Sequence, residues 1–252
     1  MEFVDYDLIN KDNLFSDDSD FLYKCRAGCL LKIVPNGVDY YRALREKKLD
    51  NCNLPIDVYN VDSRILASMG VSGGCAITIP KLSGYMNMDF CSTFNNLETI
   101  GLLEFLKKQM LSLKLMHDSC VFHGDISVSN ILMNQDLNFQ FIDFDLGVVD
   151  SYVSVWNIYE GVDNVISSIS NIDKLDLFDI YLKQFLGIKQ YDDIKTSEYE
   201  YLLMPREIIQ MILDYRNHGN IPNDYYFIDV IDYLISTEYI SPFIKMKSLM
   251  KK

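Results

Sequence analysis

The sequence predicts an α+β protein: a small strand-rich N-terminal lobe, residues 1–82, followed by a larger helical lobe, residues 83–252. Three observations point that way. Short apolar runs with strand-like alternation fill the first third, a long amphipathic segment follows a break at Pro80–Gly84, and helical spacing dominates beyond residue 155. Glycine and proline are too sparse for a flexible linker, so the lobes are expected to be closely coupled.

In chain order, "EFVDYDLI" alternates as a half-buried strand does. "FLYKCR" and "CLLKIV" are two further strand-like runs joined through Ala27-Gly28, and "CAITI" is another. Between them, "VDYYRALREKKLD" places Tyr40, Ala43 and Leu44 on one stripe with charges opposite, which predicts a helix. "PKLSG" marks the hinge. "LETIGLLEFLKKQMLSLKLMHDS" then carries Leu103, Leu106, Met110 and Leu113 at three- and four-residue steps, a long amphipathic helix. Next, "NILM" and "FQFID" flank "NQDLN", which is rich in turn residues, and this predicts a β-hairpin. The later stretch "NHGNIPND" reads as a turn between helices.

With 252 residues and 49% apolar side chains the chain can build a sizeable core. Its net charge of −13 repels phosphate, which argues against nucleic acid and anionic membranes as partners. The six cysteines lack zinc-site spacing and are expected to be reduced, mostly buried thiols. The acidic N-terminus shows no secretory apolar region, no run reaches membrane-spanning length, and the expected location is cytoplasmic. A bias toward Ile, Asn, Asp, Tyr and Lys points to an AT-rich genome; if that genome is viral, the location is the host cytoplasm.

The stretch "VFHGDISVSNILMNQDLNFQFIDFDLG", Val121–Gly147, sets Asp125, Asn130 and Asp143 among apolar residues that an ordinary core would not interrupt. In the expected hairpin, Asp125 precedes the first strand, Asn130 begins it and Asp143 ends the second. Strand pairing draws these positions together. Two carboxylates and an amide oxygen at one edge are hard donors that suit Mg²⁺. The bland alternative is a hairpin that carries these residues at turn-friendly places.

His123-Gly124-Asp125…Asn130 followed by Asp143-Phe144-Asp145 resembles the catalytic loop and metal motif of the protein-kinase-like superfamily. The resemblance covers residues about 21 to 185 and implies a bilobal kinase fold that transfers phosphate from ATP with Mg²⁺. It implies that Asp125 is the catalytic base and that Asn130 and Asp143 hold the metal. Lys32, mid-strand in "CLLKIV", would meet the phosphates and pair with Glu46 on the following helix, although an exposed strand face and a solvated helix face explain these two as well. Leu82 would present main-chain groups to adenine with Ile79 behind it. Asp163, in "YEGVDNVISSIS", would buttress the catalytic loop, or serve only as an acidic residue at a helix start.

The chain departs from the common pattern at several points. The loop "NKDNLFSDDSD" has carboxylates and no glycine where a phosphate-cradling Gly-rich loop is expected. Ser127 stands where Ser/Thr protein kinases carry Lys, Gly124 where many carry Arg, and Asp145 where most carry Gly. Those features are closest to fungal-type and small atypical kinases. An atypical Ser/Thr protein kinase with a short activation segment is therefore expected, its protein substrate unnamed. Two alternatives stand beside it: a small-molecule kinase of the aminoglycoside or choline type, and a pseudokinase that binds a partner without turnover.

Overall fold

"CLLKIV" forms the middle of a sheet because its apolar, largely β-branched and leucine residues can be covered on both faces. The computed structural model describes residues 21–25, 28–70, 72–154 and 162–186, together with Val4, Ile9, Leu14 and Phe15. In it, β1 (Leu22–Lys24), β2 (Cys29–Val34), β3 (Asp57–Tyr59) and β4 (Cys75–Pro80) make an antiparallel sheet in the order β1-β2-β4-β3. Lys32 lies opposite Leu22 on one side and Ile77 on the other, at the centre of the sheet. The strand expected over "EFVDYDLI" and the loop "NKDNLFSDDSD" fall outside the described residues except for Val4, Ile9, Leu14 and Phe15.

Helix α1 (Val38–Arg45) follows β2 and buries Tyr40, Tyr41 and Leu44. It ends at Arg45, short of the predicted helical segment, and Glu46 forms its C-cap. Helix α2 (Ser63–Ser68), which no apolar periodicity announced, starts at Asp62, whose side chain accepts the Arg64 N–H.

After β4, the short strand β5 (Met86–Asn87), a 3-10 turn at Met88–Phe90 and the one-turn α3 (Ser92–Asn95) lead into α4 (Thr99–Asp118). Leu103, Leu106, Met110 and Leu113 of α4, the stripe that the sequence predicts, are buried, as are Leu102 and Met116. Then come β6 (Val121–Phe122), β7 (Ile131–Met133), β8 (Phe139–Phe141), β9 (Val148–Val149), β10 (Tyr152–Val153) and α5 (Val162–Leu186).

The predicted hairpin is β7–β8, with Ile131 opposite Phe141. Its turn closes because the Asn134 side-chain oxygen accepts the N–H groups of Asp136 and Asn138, freeing Leu137 to take φ +60°. Strands β5, β7 and β8 make one three-stranded sheet, and β10, β9 and β6 another.

One apolar cluster runs from Val34 and Ile77 of the first sheet and Tyr41 of α1 through α4 to Phe139, Phe141 and Tyr181. Residues 51–53 stitch the halves together: Phe141 donates its N–H to Asn51, and Asn53 donates to Phe141. All six cysteines are free; Cys52, Cys75 and Cys91 are buried and Cys120 is exposed. No helix among the described residues is long and apolar enough to cross a membrane.

Candidate active site

Strand β2 fixes the Lys32 backbone at the sheet centre, and its ammonium reaches across to the end of the β7–β8 hairpin. There it donates to Asp143 at 2.7 Å and to Asp145 at 3.0 Å. Asp143 sits just beyond β8 in the left-handed region, φ +68°, which an Asp tolerates better than most residues. That turn sets two carboxylates, separated by Phe144, on one cation.

The electrostatics follow from partial burial around a shared charge. Burial opposes the Lys32 ammonium, but the charges of Asp145 and then Asp143 more than offset it, so its pKa is raised. Burial also acts against the Asp143 carboxylate, yet Lys32 outweighs this and holds it below the usual range. Asp145 is pushed up by burial, aided by the charge of Asp143, and Lys32 and Tyr41 only partly pull it back.

Above this cluster opens a cavity of about 730 Å³ between the sheet and the hairpin. Leu30, Ile77, Ile79, Leu82 and Leu132 give it apolar walls, and Lys32, Asp143 and Asp145 make its charged end. Leu82 follows β4, and its carbonyl accepts a long bond from the Tyr85 N–H, at 3.3 Å.

Two side chains of the loop between β6 and β7 help to hold it from within. The first is His123, fully buried. Its Nδ1 accepts the Asp125 N–H at 3.2 Å, which requires the proton on Nε2, and Nε2 then donates to the Ile142 carbonyl at 2.8 Å. One imidazole thereby ties the backbone of Asp125 to the residue before Asp143. The second is Asn130, which donates Nδ2 to Oδ2 of Asp125 at 2.7 Å and to its carbonyl at 3.0 Å, while its own carbonyl accepts the Ile142 N–H. This leaves the amide oxygen as its donor atom for a cation. The Ser127 hydroxyl meets that of Ser129 within the loop, at 2.8 Å.

The structure therefore gathers Lys32 and Asp143 at the cavity and joins Asp125 and Asn130 in the adjoining loop. Glu46 is not brought in. It is exposed and pairs with its neighbour Arg45 at 2.9 Å, because the helix that was to aim it inward has already ended. Asp163 lies in the first turn of α5, and its side chain falls outside the described residues. Among the described residues, the backbone of the loop after β6 is bonded by Asp173. Asp173 is fully buried and accepts the N–H groups of His123 and Gly124, both at 2.8 Å, with the His117 ring at 3.1 Å.

Sequence reasoning missed Asp173 although a signal existed. Val165, Ile169, Asp173, Leu177 and Tyr181 stand at four-residue steps and all are buried, so an Asp interrupts the apolar stripe of α5. It also missed Tyr41, whose hydroxyl donates to Oδ1 of Asp145, and Asn36 and Ser154, which both donate to the Asp145 carbonyl at 2.7 Å.

Among the described residues, no three His, Cys, Asp or Glu side chains cluster as a self-sufficient metal centre. The oxygens of Asp143 and Asn130 fit a different case, a hard cation that takes one carboxylate from the protein and more oxygens from phosphate and water. Compared with known proteins, the chain matches no family model and no curated sequence.

Proposed function

We propose that the chain is an ATP- and Mg²⁺-dependent phosphotransferase with the bilobal protein-kinase-like fold. One observation carries the reading: Lys32 from the centre of the first sheet meets Asp143 at the end of the hairpin, beside a loop in which Asp125 and Asn130 are bonded together. A strand lysine, a metal-motif carboxylate and a catalytic-loop Asp–Asn pair are the parts that phosphoryl transfer from a nucleotide requires.

The apolar slot between Leu30, Ile79 and Leu82 suits a flat heteroaromatic base, and its charged end suits the phosphates. Lys32 would neutralise phosphate oxygens. Asp143 and Asn130 would hold Mg²⁺, which when bound spreads the charge that develops on the transferred group. Asp125 would orient the acceptor hydroxyl and take its proton; its backbone is fixed by His123 and one carboxylate oxygen by Asn130, leaving the other for that task.

A protein hydroxyl is the favoured acceptor. The net charge of −13 favours as a second reading a small cationic alcohol or amine. Purified protein with Mg²⁺ and γ-labelled ATP, given basic proteins, acidic proteins or an aminoglycoside panel, tests both. Label on protein supports the first reading, label on a small molecule the second. Nucleotide binding with no transfer to any acceptor would leave a binding module.

A further inference from the structure

We infer that Asp145, held by the Tyr41 hydroxyl, takes the place of a helix glutamate as the group that positions Lys32. The inference rests on the phosphotransferase reading above. Helix α1 brings no carboxylate to the cavity: Asp39 is exposed and faces Arg42 at 3.6 Å, and Glu46 is exposed on Arg45. What α1 does bring is Tyr41, 1% exposed, whose hydroxyl meets Oδ1 of Asp145 while Oδ2 of the same carboxylate meets Lys32 at 3.0 Å.

Asp145 is held through its backbone as well. Asn36, just before α1, and Ser154, just after β10, both donate to its carbonyl, and Tyr40 donates to the carbonyl of Phe144 at 2.6 Å. The two carboxylates on Lys32 therefore have different tasks. Asp143, more exposed, is the one that a phosphate-bound cation would claim. Asp145, more enclosed and tied to α1, keeps Lys32 in place when Asp143 is so engaged. The Asp in place of the motif glycine and the missing inward glutamate then become a single exchange: the carboxylate has moved from the helix to the metal motif, and a tyrosine hydroxyl preserves the link to the helix.

The test is calorimetric titration of ATP·Mg²⁺ into the parent, Lys32→Met, Asp145→Asn, Tyr41→Phe, the Tyr41→Phe/Asp145→Asn double variant and Glu46→Gln, with thermal melts of each. Asp145→Asn should weaken binding about tenfold, the scale of a lost charged hydrogen bond, and Tyr41→Phe about threefold. Because Tyr41 acts through Asp145, the double variant should bind no worse than Asp145→Asn alone, whereas a merely structural role would make the losses add. Glu46→Gln should bind like the parent. Unchanged affinity in Asp145→Asn, or additive losses in the double variant, would overturn the inference while the phosphotransferase reading stood. A parent that binds no ATP·Mg²⁺, or binds it equally well as Lys32→Met, would overturn that reading and the inference with it. Tyr41→Phe keeps the ring in the core, so if Asp145→Asn fails to fold, a Tyr41→Phe variant that binds ATP·Mg²⁺ as tightly as the parent would overturn the inference.

Discussion

Gly124 lies so close to Leu146 that a Cβ on it would sit 2.5 Å from the Leu146 carbonyl oxygen. Its φ is +78°, so an L-residue there is strained before the clash is counted. Gly124→Ala should destabilise the fold by about 2 kcal/mol or more. Gly28→Ala is the control: φ is +86° but nothing lies within 4 Å, so the cost should stay near 1 kcal/mol. Urea unfolding of both variants checks the difference, and equal losses would remove the close approach as the cause.

Asp125 and Asp143 should fail in different ways. On the proposed reading Asp125→Ala removes the proton acceptor, and it should lower the rate by about 10²–10⁴ with little change in ATP affinity. Asp143→Asn removes the charge a hard cation needs and should abolish turnover with the melting temperature retained. Steady-state kinetics beside nucleotide titration separates the two, and a fully active Asp143→Asn would defeat the metal assignment.

Asp173 is fully buried and accepts from two backbone N–H groups and His117. Truncation to Ala should cost about 3 kcal/mol, since it strands those donors away from water. Asp173→Asn should cost less, because an amide oxygen still accepts. Chemical denaturation in the order parent, Asn, Ala is expected; an Ala variant as stable as the parent would mean the loop is held by other means.

Burial pushes the thiols of Cys52 and Cys75 up to about 12. Both folded values lie above the unfolded one, so the folded state retains the proton longer. Their contribution to stability is complete below the unfolded thiol pKa of about 8.5 and is lost as pH rises toward about 12. Iodoacetamide at pH 8 should alkylate exposed Cys120 and spare these two until denaturant is added, as peptide mass spectrometry would show. Rapid native labelling of Cys75 would contradict its burial.

Activity should not require phosphate on the segment after the metal motif. Gly124 offers no guanidinium to receive one, and β9–β10 is already paired in the sheet with β6. Lys47 further clamps the hairpin through Asp150 at 2.6 Å. Of the hydroxyls there, Ser154 is fully buried and donates to Asp145, so only Ser151 and Tyr152 lie open to modification among the described residues, Tyr159 falling outside them. Phosphatase-treated protein, shown unmodified by mass, should retain its activity. A loss restored by phosphate at Ser151 or Tyr152 would refute this.

The parts of the site that depend on local pattern were legible in the sequence. Asn134, Asp136 and Asn138 between apolar runs specify the hairpin, and a lone cation in "CLLKIV" marks Lys32. Glu46 was misjudged because helical spacing says nothing about a residue beyond the last turn. Asp173 was passed over for Asp163 because an acidic residue at a helix start is a familiar local feature, while an acid inside a buried stripe has meaning only once its partners are known. Residues 51–70 gave least. Their short β3 and α2 are set by pairing with β4 and by a single cap, neither of which leaves a period to read.

The two bonds that tie Phe141 to Asn51 and Asn53 bear on how the chain comes to be folded. A polypeptide leaving the ribosome exposes Asn51 and Asn53 long before β8 is synthesised. Until then Val34 and Ile77 of the first sheet and Tyr41 of α1 have no cover from Phe139 or Phe141. The two halves should therefore gain protection from proteases together, once the hairpin has emerged.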